Sequence, residues 1–167
     1  LFFDGDLTGA GLEARQMGPD IGIGIFDFTG GPGDDDLTGN LLDNVITGDA
    51  GNDRLLGLGG NDTLRGGDGT DTLNGGDGDD LIEGGATEAD LRDQIFAGAG
   101  NDSVDGGHGN DQIFGQDGND TIAGGFGVDD LQGQNGDDVI TGSAFSDLVF
   151  GGAGDDFVNG GFGHDRI

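Results

Sequence analysis

The 167-residue chain contains no cysteine and no lysine, and it has no apolar run near the roughly 18 residues of a membrane-spanning helix. Without cysteine, disulfides, zinc–thiolate sites and thiol nucleophiles are all excluded. No secretory signal peptide is visible at the start of the sequence. The fold must therefore be stabilised by something other than covalent cross-links.

Positive charge is scarce, because five arginines stand against 34 acidic residues and the net charge is −29 at pH 7. This balance argues against nucleic acid and anionic membranes as partners, since both require a basic face. Cations are the natural partners. Only three acidic residues are Glu: Glu13, Glu83 and Glu88. Aspartate, one methylene shorter, suits tight turns in which a carboxylate points back at its own backbone.

Glycine is abundant, with 42 residues, and it is periodic. A nine-residue motif, GGxGxDxUx with U a large aliphatic residue, recurs from Gly30 to the end, as in GGDGTDTLN and GGHGNDQIF. Fifteen units begin at residues 30, 39, 48, 57, 66, 75, 84, 97, 106, 115, 124, 133, 142, 151 and 160. The unit from Gly84 carries four extra residues near 86–90. The period, rather than low complexity, therefore explains the glycine content.

Position 8 of the motif is aliphatic in all fifteen units, from Leu37 to Ile167, whereas positions 7 and 9 are mixed. In a strand such alternation turns one side chain inward and its two neighbours outward. Glycines at positions 1, 2 and 4 permit a sharp turn. The pattern predicts an all-β parallel β-roll (a β-solenoid), with six-residue turns, three-residue strands and two facing short parallel sheets.

Position 6 is Asp in every unit but one, where Asn44 stands. Alternate units share an edge of the predicted roll, so the position-6 carboxylates of every second unit should lie one coil above another. Carboxylates and turn carbonyls form all-oxygen sites that suit a hard cation, and flexible six- to eightfold coordination favours calcium over magnesium. Edges of eight and seven turns have at most thirteen gaps for Ca²⁺. Thirteen Ca²⁺ ions would add a charge of +26 to the chain's net charge of −29.

Over residues 30–167 the chain resembles the RTX (repeats-in-toxin) family of proteins that Gram-negative bacteria secrete. The resemblance implies an ion between turns n and n+2, held by carbonyls at positions 2 and 4 of one turn, carbonyls at positions 1 and 3 of the other, and both aspartates. The implied metal ligands are Asp35, Asp49, Gly51, Asp53, Asp62, Gly66, Asp68, Asp71, Gly76, Gly78, Asp80, Asp93, Asp102, Gly107, Gly109, Asp111, Asp120, Gly124, Phe126, Asp129, Asp138, Asp147, Asp156 and Asp165.

Three units depart from the family pattern. The unit from Gly39 has Asn44 and lacks two glycines, the unit from Gly84 carries the insertion, and the unit from Gly142 has Phe145 at position 4. We therefore expect about eight to eleven bound calcium ions rather than thirteen. Residues 1–29 carry no clean repeat and are interpreted as an N-terminal cap or as the tail of an upstream domain. The chain ends inside a repeat, so we expect it to be part of a longer protein.

No catalytic constellation is present: the sequence lacks H-E-x-x-H and G-x-S-x-G, and His108 and His164 are interpreted as solvated turn residues. Outward Phe96, Phe114 and Phe150 could bind a partner protein or a second copy, or they could cover neighbouring strands, which is the favoured interpretation. The sequence predicts a non-enzymatic, extracellular, calcium-dependent folding module of an exported protein. The alternatives are a calcium-stiffened adhesive or surface-layer spacer, or an accessory domain of a secreted hydrolase or toxin.

Overall fold

The computed structural model describes residues 27–167, and within this range it is built from β-strands and turns without a helix. No described element is therefore a helix that could cross a membrane. The strands are β1 (Asp27–Pro32), β2 (Asp36–Thr38), β3 (Val45–Gly51), β4 (Arg54–Gly59), β5 (Thr63–Gly69), β6 (Thr72–Asp77), β7 (Leu81–Gly85), β8 (Gln94–Ala99), β9 (Ser103–Gly107), β10 (Gln112–Asp117), β11 (Thr121–Phe126), β12 (Asp130–Asn135), β13 (Val139–Ala144), β14 (Leu148–Ala153) and β15 (Phe157–Asn159).

The strands form two parallel sheets, one holding the eight odd-numbered strands in chain order and the other the seven even-numbered strands. Each repeat therefore contributes to the sheet opposite the one its predecessor joined, and two repeats complete one coil. Paired residues occupy the same motif position two repeats apart, as Ile113 and Leu131 do. The predicted all-β parallel β-roll is confirmed.

The core is a double column of position-8 side chains between the two sheets. Twelve of them, from Ile46 to Val149, are at most 3% exposed. Ala97, at position 1, is the remaining buried apolar residue among residues 27–167. Leu37 and Val158 pack against the column from its ends, while Ile167 is 72% exposed. The predicted inward orientation thus holds for the position-8 residues from Leu37 to Val158, whereas Ile167 is largely exposed.

Thirteen of the fifteen described strands are longer than the predicted three residues, which β2 and β15 have. β10, for example, covers positions 7 to 9 and continues through Gly115 to Gln116 and Asp117, and the last two residues pair with β8 and β12. Pairing continues because the turn backbones of successive coils stack in the same register as the strands. The chain bends inside this paired segment at position 2, where φ is 83° at Gln116 and 119° at Gly67. The turn is therefore a bent continuation of the sheet.

The four extra residues near 86–90 lie between β7 and β8 and leave the stacking unbroken. Across them β6 still pairs with β8 and β7 with β9, so that Leu73 lies beside Ile95 and Ile82 beside Val104. Ile82 and Ile95 remain fully buried on either side of the extra residues. The extra residues are therefore accommodated in a turn at one edge of the roll, outside the core.

Of the residues before Gly30, only 27–29 lie within the described range. They belong to β1, in which Phe28 pairs with Ile46 and packs against the core column. The interpretation of residues 1–26 as a cap or a tail lies outside the described residues.

Candidate metal-binding edges of the roll

The position-6 side chains form two ladders, one along each edge of the roll. In every gap between stacked turns, the backbone N–H of one position-6 residue donates to Oδ1 of the next, at 2.7–3.1 Å. One ladder runs from Asp35 to Asp165 and the other from Asn44 to Asp156. The structure thus places the position-6 residues of every second repeat in contact, and this contact continues across the insertion from Asp71 to Asp93.

The second carboxylate oxygen, Oδ2, has no protein partner in the interior of these ladders. The aspartates whose buried Oδ2 lacks any hydrogen bond are Asp53, Asp62, Asp71, Asp80, Asp93, Asp102, Asp111, Asp120, Asp129, Asp138 and Asp147. A buried carboxylate oxygen without a partner is strongly destabilising unless a cation or a proton compensates its charge. The two edges therefore present regularly spaced sites for positive charge.

Position 1 is Gly in every unit but one because Oδ2 lies against its α-carbon. A methyl group on Gly106 would lie 2.7 Å from Oδ2 of Asp111 and 2.5 Å from the carbonyl oxygen of Gly124 in the next coil. The same methyl group on Gly124 would lie 2.5 Å from Oδ2 of Asp129. A carboxylate oxygen and a carbonyl oxygen from stacked turns thus converge on one point. The exception is Ala97, which carries a methyl group there.

Burial raises the pKa of the interior ladder carboxylates, from Asp53 to Asp147, and for most of them neighbouring carboxylates raise it as well. The pKa of Asp93 and of Asp111 reaches about 8, with desolvation the largest cause and the backbone hydrogen bond at Oδ1 opposing it. The pKa of Asp120 reaches about 7, and that of Asp129 about 6. Without a cation, the carboxyl groups of Asp93 and Asp111 are therefore mostly protonated near neutral pH.

Backbone carbonyls of the turns face the same gaps. The Phe126 carbonyl accepts a hydrogen bond from the N–H of Gly109 at 2.9 Å, and the Gly69 carbonyl accepts one from Leu91 at 2.8 Å. Each of these oxygens has a second lone pair. Within residues 27–167 no three His, Asp or Glu side chains gather as a metal cluster. An ion at either edge must therefore take several of its ligands from backbone carbonyls, which suits a hard cation.

The implied ligand residues of two stacked turns illustrate this arrangement. Asp49 pairs with Gly67, and Gly51 pairs with Gly69, so turn positions 2 and 4 of successive coils lie directly above one another. Their aspartates are joined by the hydrogen bond from Asp53 N–H to Oδ1 of Asp71. The structure therefore brings the two turns named for one implied site together.

The departing units keep their places in the ladders. Asn44 is 1% exposed, and its Oδ1 accepts a hydrogen bond from Asn40 N–H inside its own turn while Nδ2 has no partner. Phe145 adopts a φ of 76° at the position that is Gly in regular units, and its ring is 60% exposed. Asp156 and Asp165, near the ends of the two ladders, are only half-buried. These turns therefore preserve the stack although their residues depart from the regular pattern.

A second, outer ladder at position 5 was missed by the sequence analysis. Asn119 Oδ1 accepts from Asp137 N–H at 2.8 Å, and Asn101 Oδ1 accepts from Asn119 N–H at 3.0 Å. On the other edge, Asn110 Oδ1 accepts from Val128 N–H at 2.8 Å. The signal was present in the frequent Asn and Asp at position 5, residues that commonly bond to turn backbone. These hydrogen bonds link stacked turns on the solvent-exposed side of each edge.

The insertion also contributes Asp90, a residue that the sequence analysis did not include among the ligands. Asp90 is 4% exposed, and neither of its carboxylate oxygens has a hydrogen-bond partner. No motif position predicted this burial, because the extra residues break the nine-residue count just before Asp90.

Two of the outward phenylalanines cover each other. The rings of Phe96 and Phe114 stack at 5.2 Å, and a similar stack joins His108 and Phe126 at 4.7 Å. Phe150 is 45% exposed and is separated from Phe114 by Gln132 of β12. Phe96 and Phe114 therefore pack on each other across the neighbouring strands β8 and β10.

Comparison with known families gives one match, found four times along the chain. The family is described as the RTX calcium-binding nonapeptide repeat, and it matches residues 29–64, 56–87, 90–122 and 132–167. A search of curated proteins gives no match. The matched segments include every position-6 residue of the two ladders except Asp129, which lies in the unmatched stretch 123–131, and they also leave out residues 88 and 89 of the insertion.

Proposed function

Since the chain belongs to the family of RTX calcium-binding nonapeptide repeats, we propose that it is a calcium-dependent folding module of an exported protein. The single observation that carries this proposal is the row of buried, unpartnered Oδ2 atoms along both edges. RTX repeats bind Ca²⁺, and calcium supplies the positive charge that these oxygens lack.

The proposed ligands of each ion come from two stacked turns. Between the turns that begin at Gly48 and Gly66, the ligands are the carbonyls of Asp49, Gly51, Gly66 and Asp68 with the carboxylates of Asp53 and Asp71. A second proposed site lies between the turns that begin at Gly106 and Gly124. The first of these turns contributes the carbonyls of Gly107 and Gly109 and the carboxylate of Asp111. The second contributes the carbonyls of Gly124 and Phe126 and the carboxylate of Asp129. The convergence of Asp111 Oδ2 and the Gly124 carbonyl near Gly106 supports the second set.

On the ladder that starts at Asn44, the carbonyls of Gly76 and Gly78 with Asp80 and Asp102 form the corresponding proposed site. The remaining position-6 aspartates serve the other gaps: Asp35, Asp62, Asp93, Asp120, Asp138, Asp147, Asp156 and Asp165. We propose about eight to eleven ions in total, since the turns with Asn44, Phe145 and the insertion depart from the regular ligand set. Eleven interior aspartates with an unpartnered Oδ2 support a number in this range.

Calcium concentration explains why such a module suits export. Extracellular calcium modules bind with dissociation constants of roughly 10⁻⁴–10⁻³ M, far above cytosolic calcium levels. The uncompensated carboxylates then keep the chain unfolded before export, and calcium folds it outside the cell. RTX calcium-binding repeats are typical of secreted bacterial proteins. A repeat-only β-solenoid is typically non-catalytic, so binding and folding are the proposed roles of this segment.

Circular dichroism of the 167-residue chain during calcium titration tests the proposal. We expect a coil spectrum in chelator at neutral pH and a cooperative change to β structure at roughly millimolar calcium. Magnesium at the same concentrations is the matched control and should be far less effective, because it demands near-octahedral geometry. A full β spectrum without calcium at neutral pH, or an equal response to magnesium, would contradict the proposal.

A further inference from the structure

Asp90 occupies position 3 of the altered turn but differs from the residues at that position in regular turns. Asp77 and Asp117 hold position 3 in the units from Gly75 and Gly115, and both are exposed. Asp90 is 4% exposed. The extra residues 86–89 thus turn a carboxylate that would face solvent towards the inside of the turn.

The backbone around Asp90 is held by hydrogen bonds to the turns above and below. The N–H of Asp90 donates to the Thr87 carbonyl at 3.1 Å, which closes the inserted loop. Next to it, Leu91 N–H donates to the Gly69 carbonyl at 2.8 Å, and the Leu91 carbonyl accepts from Asn110 N–H at 3.0 Å. Asp90 is therefore anchored between the turn that begins at Gly66 and the turn that begins at Gly106.

The carboxylate of Asp90 lies against Gly85. A methyl group on Gly85 would lie 2.5 Å from Oδ2 of Asp90 and 2.6 Å from its Cγ. Neither oxygen of this carboxylate makes a hydrogen bond. The nearby N–H groups of Leu91 and His108 donate to the carbonyls of Gly69 and Gly85 instead. Interior ladder aspartates such as Asp93 and Asp111 accept a backbone N–H at Oδ1, whereas Asp90 has only the electrostatic effect of the nearby Leu91 and His108 N–H groups.

The charges that act on Asp90 are negative. Burial, together with the carboxylates of Asp71 and Asp68, raises the pKa of Asp90 to about 7, against the opposing effect of the backbone N–H groups of Leu91 and His108. Asp90 in turn raises the pKa of Asp93 and of Asp111. The two ion pairs within residues 27–167 involve Arg54 and Arg65, whose partners lie elsewhere on the surface. Within that range no arginine therefore forms an ion pair with Asp90.

We propose that Asp90 is an additional calcium ligand created by the insertion, and that the altered turn holds its ion more tightly than any regular turn does. The inference rests on the proposed function of the two edges. A regular gap offers one position-6 carboxylate from each turn, whereas the altered turn adds the buried, unpartnered carboxylate of Asp90 three residues before Asp93. Calcium affinity rises with the number of charged ligands and with the rigidity of the site. The ion at the altered turn is therefore the first to bind and the last to leave.

A competition titration with a chromophoric calcium chelator tests this inference on the full chain, with Asp90→Asn as the variant and Asp77→Asn as the matched control. Both substitutions remove one carboxylate charge at position 3 and keep the side-chain shape. We expect the parent to show one or two tight sites. Asp90→Asn should weaken these sites by at least about tenfold, since even an outer partner of a metal ligand is worth about ten- to a hundredfold in affinity. Asp77→Asn should leave the tight sites unchanged.

Asp90→Glu keeps the charge and guards against a folding defect. If Asp90→Asn does not fold in calcium but Asp90→Glu folds and retains tight sites, the ligand role stands. Equal effects of Asp90→Asn and Asp77→Asn, or failure of both Asp90 variants to fold, would overturn it in favour of a purely structural role. If the parent chain binds no calcium at all, the proposed function of the two edges fails. If the parent binds calcium but shows no sites of higher affinity, only the inference about Asp90 fails.

Discussion

The two oxygens of each ladder carboxylate have separate structural environments. Oδ1 accepts a backbone N–H from the neighbouring turn, as Asp111 does from Asp93 at 2.9 Å, while Oδ2 is buried without a partner. Aspartate is short enough to make both contacts from one turn, which explains why Glu is nearly absent from the repeats. Asn44 shows that an amide fits the position sterically, but its Nδ2 is left without a partner. The shape of the position-6 side chain, which an amide can reproduce, is therefore separable from its negative charge, which an amide lacks.

This separation predicts the effect of Asp111→Asn. The amide oxygen can still accept from Asp93 N–H, so the turn should keep its geometry, whereas the amide nitrogen replaces Oδ2 and removes a ligand from the gaps on either side. We expect the calcium midpoint of folding, followed by circular dichroism, to rise by about tenfold or more. Asp117→Asn, at an exposed carboxylate bonded to Asn135, is the control and should have little effect. Equal midpoints for the two variants would contradict the shared-ladder arrangement.

At the scale of the element, each repeat is one strand that runs through a bend rather than a strand followed by a separate turn. The bend lies at position 2, where positive φ is found at Gly67, Gly76 and Gln116. The core requires only that position 8 of one repeat stacks on position 8 two repeats later. Extra residues are therefore tolerated at the edges, as the insertion between β7 and β8 shows, because a longer loop costs little additional closure entropy.

Deletion of residues 86–89 should therefore leave the roll intact. The deletion restores a nine-residue unit, so β6–β8 and β7–β9 pairing should persist, and the circular dichroism spectrum in saturating calcium should match the parent. The control is deletion of residues 116–119, which removes a regular turn between Gly115 and Asp120 and should disrupt the stack. If the Asp90 inference holds, deletion of 86–89 also abolishes the tight calcium sites, because Asp90 returns to an outward position. Loss of β structure in the first variant would show that the insertion supports the stack.

At the scale of the whole molecule, the roll stacks like charges along two edges. The net charge is −29, and both ladders stack aspartates in which each carboxylate accepts the backbone N–H of the preceding ladder residue. Positive ions bound between the turns would offset the repulsion between these carboxylates and would couple each coil to the next. Folding and ion binding are therefore expected to occur together, as they do where no preformed site exists in the unfolded chain.

Protons should substitute in part for calcium. The pKa values of Asp93 and Asp111 are raised to about 8 and that of Asp120 to about 7, whereas unfolded aspartate titrates near about 3.9. For groups with a raised folded-state pKa, the contribution to stability is complete below the unfolded pKa and is lost as pH rises through the folded pKa. The calcium-free chain should therefore gain β structure when the pH falls from about 8 to about 5.

The measurement is circular dichroism of the calcium-stripped chain across this pH range. A parallel titration should show the calcium midpoint rising as pH falls, because ligands must lose their protons before they bind the ion. β structure that decreases on acidification, or a calcium midpoint independent of pH, would contradict the raised pKa values of the ladder carboxylates.

The nine-residue period by itself determined the parallel roll, the inward column from Ile46 to Val149 and the placement of position-6 residues on two edges. The physical reason is that a strict repeat allows only one stacking register, so equivalent residues of every second repeat must lie above one another. Residue chemistry at position 6 then indicated a hard cation. These features depend on local pattern, which is why the sequence suffices to predict them.

Only the tertiary structure decided what each turn does with its atoms. It showed that strands such as β10 run on to position 3, that Oδ1 and Oδ2 differ in their partners, and that Asn101 and Asn119 form an outer ladder. It also buried Asp90, where the repeat count is broken. These outcomes depend on how a turn contacts the turns above and below it in space. A residue outside the period, such as Asp90, has no counterpart in the other repeats from which its surroundings could be predicted.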